Sequence, residues 1–198
     1  MSSDGVNSGR RKFLTAATSA VGVAGAVGIA VPFVGSWNPS AKAKAAGAPV
    51  KADVSKLEPG QMVVVEWRGK PVYVVNRTDA QLEALPGLDG LLKDPESLVS
   101  EQPPYITGVD RSIKPHLLVI VGLCTHLGCA PKFRPEAGAL DLGGKDWQGG
   151  FFCPCHGSKF DMSGRVYSGV PASANLVVPP YTFEGDDVLV VGVDWEAV

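Results

Sequence analysis

The sequence predicts an all-β head domain, built of antiparallel strands, that follows a single apolar helix near the N-terminus. Three observations support this fold class. Glycine (24 residues) and proline (16 residues) are abundant among the 198 residues, as in loop-rich β proteins. Short apolar runs bounded by turn residues recur from Met62 onward. No charged residue occurs between Phe13 and Ala41.

The uncharged segment predicts a membrane-spanning helix. Residues 13–34 read FLTAATSAVGVAGAVGIAVPFV and, as a helix, would extend roughly 33 Å, enough to cross a hydrocarbon layer about 30 Å thick. The preceding stretch GRRKFL resembles a twin-arginine export signal, and that pathway exports proteins already folded around cofactors. The segment is either kept as an anchor or cleaved near Ala43, where small residues would suit a signal peptidase.

A linker separates this segment from the head. Residues 38–54, NPSAKAKAAGAPVKADV, have no hydrophobic face, and Gly47 and Pro49 would stop any alanine–lysine helix early. The linker is either a plain spacer or a hinge that lets the head move. We predict a cytoplasmic segment (1–12), a transmembrane signal-anchor helix (13–37), a flexible hinge (38–50) and an exported head (51–198).

The head contains two predicted hairpins and one buried strand. MVVVEW and PVYVVN flank an Arg-Gly-Lys loop, YTFE and DVLVVGVDW flank Gly-Asp, and the run HLLVIVGL is continuously apolar. We expect strands at 62–67, 71–76, 116–123, 181–184 and 187–195. Residues 79–97 have helical spacing broken at Pro86 and predict one short helical insertion. The net charge of −2 provides no basic surface, so we expect no nucleic-acid partner.

Two short loops, CTHLGC (124–129) and CPCHGSKF (153–160), contain all four cysteines and two of the three histidines. The side chains that complete a four-ligand metal set are Cys124, His126, Cys153 and His156. One cysteine in each loop remains, and the two are free to join each other. A zinc site, a fully disulfide-bonded domain and a catalytic cysteine are the alternatives. The zinc interpretation makes the remaining cysteines coincidental, and the disulfide interpretation leaves both histidines unexplained.

The two loops closely resemble the boxes of Rieske iron–sulfur proteins. The pattern C-x-H…C-x-x-H is shared with oxygenase ferredoxins, but additional residues narrow the resemblance to quinol-oxidising cytochrome complexes: Leu127, Gly128, Cys129, Pro154, Cys155, Gly157 and Ser158. The resemblance extends over most of the chain. It includes the apolar N-terminal segment, the small-residue linker, LLKDPES (91–97) and the proline loop GVPASANL (169–176). The sequence therefore resembles the Rieske subunits of bacterial ubiquinol–cytochrome c reductases, the cytochrome bc1 complexes.

The resemblance implies a head of stacked sheets with a cluster-binding subdomain at about 121–176. It implies one 2Fe–2S cluster whose inner iron binds Cys124 and Cys153 and whose outer iron binds His126 and His156. It further implies a disulfide between Cys129 and Cys155. Ser158 would donate a hydrogen bond to a bridging sulfide, Leu127 would cap the cluster, and 169–176 would cover its third side. His156 is the first candidate and His126 the second for contact with the quinol. His116 matches no ligand position and is expected to be structural.

Histidine ligation has consequences for the chemistry. With two thiolates and two neutral imidazoles the oxidised centre is uncharged, whereas four thiolates would make it doubly negative. An added electron is therefore less costly, and Rieske potentials reach about −150 to +300 mV. A bound imidazole also loses its remaining proton more readily beside ferric iron, which couples electron uptake to proton uptake. Many members of the family carry a tyrosine two residues after the serine; this chain has Phe160, which predicts a lower potential.

The function implied by the resemblance is electron transfer within a membrane complex. The head would accept an electron from ubiquinol at cytochrome b and pass it to cytochrome c1, in a dimeric complex of the bacterial inner membrane with the head on the periplasmic side. Three alternatives are a subunit of a plastoquinol-oxidising complex, a subunit of a periplasmic oxidase such as arsenite oxidase, and a zinc or disulfide module without redox function.

Overall fold

A computed structural model describes residue 5 and residues 7–195. Residues 1–4 and 6 of the predicted segment 1–12, and residues 196–198 of the predicted head, lie outside the described residues. The helices are α1 (Ser8–Gly35), α2 (Ala41–Ala46) and α3 (Asp79–Ala84), with 3-10 turns at Leu85–Leu91, Leu140–Leu142 and Gly144–Asp146. The strands are β1 (Val50–Asp53), β2 (Met62–Trp67), β3 (Lys70–Asn76), β4 (Leu117–Val121), β5 (Lys132–Arg134), β6 (Gly150–Cys153), β7 (Ser158–Phe160), β8 (Tyr181–Glu184) and β9 (Val188–Val191).

The predicted apolar helix is confirmed as α1, which is long and apolar enough to cross a membrane. It begins at Ser8, before the predicted start, because the Asn7 side chain accepts a hydrogen bond from the Arg10 backbone N–H at 3.1 Å and caps the first turn. The hydroxyls of Thr15 and Thr18 donate to backbone carbonyls one turn earlier. These polar groups are thus paired within the helix, as an apolar environment requires.

The segment after α1 contains the short helix α2, which ends at Ala46. Gly47 and Pro49 follow, and β1 begins at Val50, the last residue of the predicted hinge. Val50 pairs with Val191 of β9. The stretch between α2 and the head sheet is therefore short.

The predicted all-β architecture is confirmed: the described part of the head contains three antiparallel, three-stranded sheets with strand orders β1-β9-β8, β2-β3-β4 and β5-β6-β7. Both predicted hairpins form, β2 with β3 and β8 with β9. The helical insertion is also present, as α3 and the following 3-10 turn, and Thr78 and Gln81 form a capping box at its start.

One apolar core connects the sheets to the cysteine loops. Strand residues such as Val74 and Val119 are fully buried in it, and the core continues to Cys124, Cys153 and Phe160. A smaller core beneath the helical insertion consists of Leu88, Leu92, Leu142, Trp147 and Tyr167. The cysteine loops are thus built on a packed base.

Three buried arginines, Arg77, Arg111 and Arg165, tie loops to the turn that follows β7. Arg77 donates to the Ser163 hydroxyl at 2.9 Å, and Arg111 donates to the Ser163 carbonyl at 2.9 Å. Burial lowers the pKa of Arg77 and of Arg111 to about 10, so both remain charged at neutral pH. Each guanidinium replaces water with several backbone and side-chain acceptors, which makes its burial tolerable.

Candidate metal centre

The first cysteine loop begins three residues after β4 and closes on itself. The Cys124 backbone N–H donates to the Cys129 carbonyl at 2.8 Å, and the Gly128 N–H donates to the Cys124 carbonyl at 2.9 Å. Gly128 has φ +79°, a left-handed conformation that favours glycine. Two backbone hydrogen bonds therefore bring the two ends of the loop together.

The second loop is the turn between β6 and β7. Cys153 and Ser158 face each other in the strand pair, and the Gly157 N–H donates to the Cys153 carbonyl at 2.9 Å. Gly157 has φ +77°. Both cysteine loops thus follow strands, the first after β4 and the second after β6.

A disulfide between Cys129 and Cys155 joins the two loops, with 6.7 Å between the Cα atoms. The sulfurs of Cys129, Cys153 and Cys155 lie within 4.8 Å of one another. Because Cys129 and Cys155 share a disulfide, neither has a thiolate to offer a metal. Cys153 therefore lies beside the disulfide, and the thiols of Cys124 and Cys153 remain free.

The four predicted ligands are graded from buried to exposed. Cys124 and Cys153 are 3% and 2% exposed, His126 is half-buried and His156 is exposed. The two imidazole rings stand edge to face, with centroids 4.8 Å apart. The structure thus brings both histidines together at the surface and places both cysteines beneath it.

The chemistry of these groups fits an iron–sulfur cluster. Burial raises the pKa of the Cys153 thiol, and the adjacent Cys124 sulfur raises it further, so two thiolates here need a compensating cation. Within the described part of the chain, His126 Nδ1 is buried and has no hydrogen-bond partner. A buried ring nitrogen without a partner is costly, and a metal would satisfy it.

The proline loop, residues 169–176, is bonded to both cysteine loops. The Thr125 hydroxyl donates to the Ala174 carbonyl at 2.6 Å. The Ala172 backbone N–H donates to the Ser158 hydroxyl at 3.0 Å, and Ser158 is fully buried. Because the Ser158 hydroxyl accepts this bond, its own hydrogen is available to another acceptor. Thr125 lies within the first motif but was not predicted as a site residue.

The other predicted residues occupy contrasting positions. Leu127 is 71% exposed at the tip of the first loop. Phe160 is fully buried in the same core as both free cysteines. His116 is outside the site, since its Nδ1 lies 3.1 Å from the Arg77 carbonyl oxygen.

Comparison with known proteins defines the class. The family described as "Rieske [2Fe-2S] domain" matches residues 96–182, and the family described as "Ubiquitinol-cytochrome C reductase Fe-S subunit TAT signal" matches residues 1–40. Together with the paired loops and the antiparallel sheets, this makes the head a Rieske iron–sulfur domain, which carries a 2Fe–2S cluster.

Related proteins cover nearly the whole chain. The ubiquinol-cytochrome c reductase iron-sulfur subunit of Allochromatium vinosum is 56% identical, covering 98% of this chain and 93% of its own length. The subunit of the same name from Blastochloris viridis is 43% identical over 96% of this chain and 97% of its own length. A solved structure described as "Hyperthermophilic respiratory Complex III" is 26% identical, with a TM-score of 0.48, over 89% of this chain and 99% of that chain. The chain belongs to the family of ubiquinol–cytochrome c reductase iron–sulfur subunits.

Proposed function

We propose that the head accepts an electron and a proton from ubiquinol at cytochrome b and passes the electron to cytochrome c1. The observation that carries this proposal is the grading of the site, with sulfur ligands in the core and imidazoles at the surface. A quinol can reach the imidazole side only. The family, the oxidoreductase complex to which its members belong, and the export signal all agree with this role.

In the proposed site Cys124 and Cys153 would hold the inner iron, and His126 and His156 would hold the outer iron. When bound, the 2Fe–2S cluster accepts and releases one electron. The exposed ring of His156 accepts a hydrogen bond from the quinol hydroxyl and takes up its proton at the nitrogen that faces solvent. His126, which is half-buried, is the second candidate for this contact.

The surroundings of the proposed site hold its loops together and cover one side of it. The Cys129–Cys155 disulfide holds the loops together, and the proline loop covers the side bonded through Thr125 and Ser158. Ser158 directs its free hydrogen toward a cluster sulfur, and exposed Leu127 contributes to the surface that meets cytochrome b.

The proposed location is the bacterial inner membrane. Helix α1 is retained as a single-pass anchor, Arg10 and Arg11 stay on the cytoplasmic side, and the head lies in the periplasm within a dimeric complex. The length of α1, its paired hydroxyls and the twin-arginine family support anchoring. Residues 38–50 act as the hinge through which the head reaches both partners.

A tagged chain purified from its native membrane tests the proposal. We expect b- and c-type haems to copurify, non-haem iron and acid-labile sulfide in equal amounts, and the EPR spectrum of a histidine-ligated 2Fe–2S cluster after dithionite reduction. His156→Ala should abolish this spectrum, whereas His116→Ala, outside the site, should retain it. A colourless zinc protein, a copurifying molybdenum protein, or an unchanged spectrum in His156→Ala would contradict the proposal.

A further inference from the structure

A lysine outside both cysteine loops is bonded to the proline loop at two points. Lys93 Nζ donates to the Val170 carbonyl at 2.7 Å and to the Ala172 carbonyl at 2.6 Å. Lys93 itself is exposed. Core packing therefore does not explain the position of the Lys93 side chain. Its ammonium group is held by the two hydrogen bonds to the proline loop.

Backbone pairing fixes the position of Lys93 relative to the proline loop. The Lys93 N–H donates to the Val166 carbonyl at 3.0 Å, and the Ser168 N–H donates to the Leu91 carbonyl at 2.8 Å. The chain that leads into the proline loop thus runs beside Leu91–Lys93. A lysine held at this place has a short reach to the carbonyls it contacts.

The far end of the proline loop is also bonded to this region of the chain. The Asn175 side-chain amide donates to the Asp94 carbonyl at 2.8 Å and to the Ser97 hydroxyl at 2.9 Å, and Asn175 is fully buried. Residues 91–97 therefore hold the proline loop at both ends. Lys93 provides the part of this support nearest to Ser158.

Ala172 links Lys93 to Ser158. Its carbonyl accepts from Lys93, and its N–H donates to the Ser158 hydroxyl. Ser158 is fully buried and faces Cys153 in the strand pair. Displacement of Ala172 would remove the donor that fixes the Ser158 hydroxyl, so the orientation of that hydroxyl depends on Lys93.

We propose that Lys93 is a positioning residue for the iron–sulfur site, which holds Ala172 so that Ser158 directs its O–H toward the cluster. The inference rests on the proposed function, since it requires the cluster between the two loops. Hydrogen bonds to cluster sulfurs tune the potential, and a donated bond stabilises the more negative, reduced form. Loss of Lys93 therefore lowers the midpoint potential through Ser158.

EPR-monitored redox titration of the purified complex tests this role. We expect Lys93→Met to lower the midpoint potential, and Lys93→Arg to restore most of it because a guanidinium can also donate to two carbonyls. Lys114→Met is the matched control, because Lys114 Nζ donates to the Asp186 carbonyl at 2.9 Å elsewhere in the head; its potential should equal that of the wild type. Backbone amides at 172–176 should exchange hydrogen roughly tenfold faster in Lys93→Met.

A double-mutant cycle separates positioning from the direct effect of the lysine charge. If Lys93 acts through Ser158, the shift caused by Lys93→Met should be at most about half as large when Ser158→Ala is already present. Equal shifts in both backgrounds, or unchanged potential and exchange in Lys93→Met, would overturn the inference. A wild-type complex without the Rieske EPR signal would instead refute the proposed function, before the lysine variants are compared.

Discussion

At the scale of single residues, the site depends on side chains whose surroundings differ sharply over a few positions. Cys124 and Cys153 are almost fully buried, whereas His156 and Leu127 are exposed. Thiolates need the compensation of a metal in such a place, and an imidazole at the surface can exchange protons with a bound quinol. The proposed ligand types thus match their depth in the protein.

Phe160 provides the first prediction. It is fully buried in the core that contains both free cysteines, and it stands where many members of the family carry tyrosine. In Phe160→Tyr we expect a higher midpoint potential, because a tyrosine hydroxyl can donate to a ligand sulfur and stabilise the reduced form. Redox titration followed by EPR measures it. Phe152→Tyr, which adds the same hydroxyl to a half-buried ring near the smaller core, should leave the potential unchanged. An unchanged or lower potential in Phe160→Tyr would refute the argument.

The residues that the sequence predicts and those that it misses differ in the sequence separation of their contacts. The six cysteines and histidines of the proposed site and Ser158 lie in two local motifs, and the resemblance of these motifs to the Rieske boxes identifies them from the sequence. Lys93 contacts carbonyls 77 and 79 positions away. Thr125 contacts a carbonyl 49 positions away. No local pattern encodes a bond to a distant backbone carbonyl, which is why these supporting residues required the structure.

At the scale of elements, the two cysteine loops depend on the connection between them. The Cys129–Cys155 disulfide closes 26 positions of chain across turns that have few other restraints. In Cys129→Ala/Cys155→Ala we expect the head to lose about 2–4 kcal/mol of stability and the cluster to be lost faster on heating. The decay of the reduced EPR signal at increasing temperature measures this. Decay at the wild-type rate would show that the loops do not need the disulfide.

Packing of one glycine against an aromatic ring provides an element-scale prediction. A Cβ at Gly122, just after β4, would collide with the Tyr73 ring. That ring cannot move away freely, because its hydroxyl donates to the Pro131 carbonyl at 3.0 Å and it is almost fully buried. Gly122→Ala should cost about 1–3 kcal/mol of unfolding free energy and lower the thermal midpoint.

The control for Gly122→Ala is Gly87→Ala. No atom lies within 4 Å of a Cβ built on Gly87, and its φ is not positive. Thermal unfolding of the two variants should therefore differ, with Gly87→Ala close to the wild type. Equal midpoints would mean that the Tyr73 ring yields at no cost.

Sequence patterns did not predict the short strands β1, β5 and β7. β5 and β7 contain three residues each, and β1 contains four. A period of two cannot be recognised over three residues, and these strands form because their partners β6 and β9 lie beside them. β9 ends at Val191, whereas the sequence pattern predicted a strand that continues to residue 195. The next residue, Gly192, has φ +99°, a left-handed conformation that ends the strand. Tertiary pairing decided these boundaries.

At the scale of the whole molecule, buried arginines join the loops of the head to one another. Arg165 is fully buried and donates to Asp161 at 2.8 Å, to Asp89 at 2.7 Å and to the Leu85 carbonyl at 2.7 Å. Asp161 is also fully buried. Arg165 is the cationic side chain that pairs directly with the buried Asp161 carboxylate, and its further contacts with Asp89 and Leu85 hold the helical insertion and the end of β7 together.

Arg165→Met should therefore destabilise the head by about 3–5 kcal/mol, because the Asp161 carboxylate stays buried without its partner. The thermal midpoint of the purified complex measures the loss. Arg134→Met is the control: Arg134 pairs with Asp141 on the surface, where ion pairs contribute little, and we expect almost no change. Similar losses of stability in Arg165→Met and Arg134→Met would contradict the conclusion that the buried pair stabilises the head more than the surface pair does.

In the proposed function, the grading from buried sulfur to exposed imidazole would also limit the rate of turnover. The quinol site on cytochrome b and the acceptor cytochrome c1 would both use the imidazole edge, so contact with one would exclude contact with the other. The two encounters would then alternate in time. The residence time of the head on each partner would set an upper bound on the rate, and tighter binding to either one would slow the cycle.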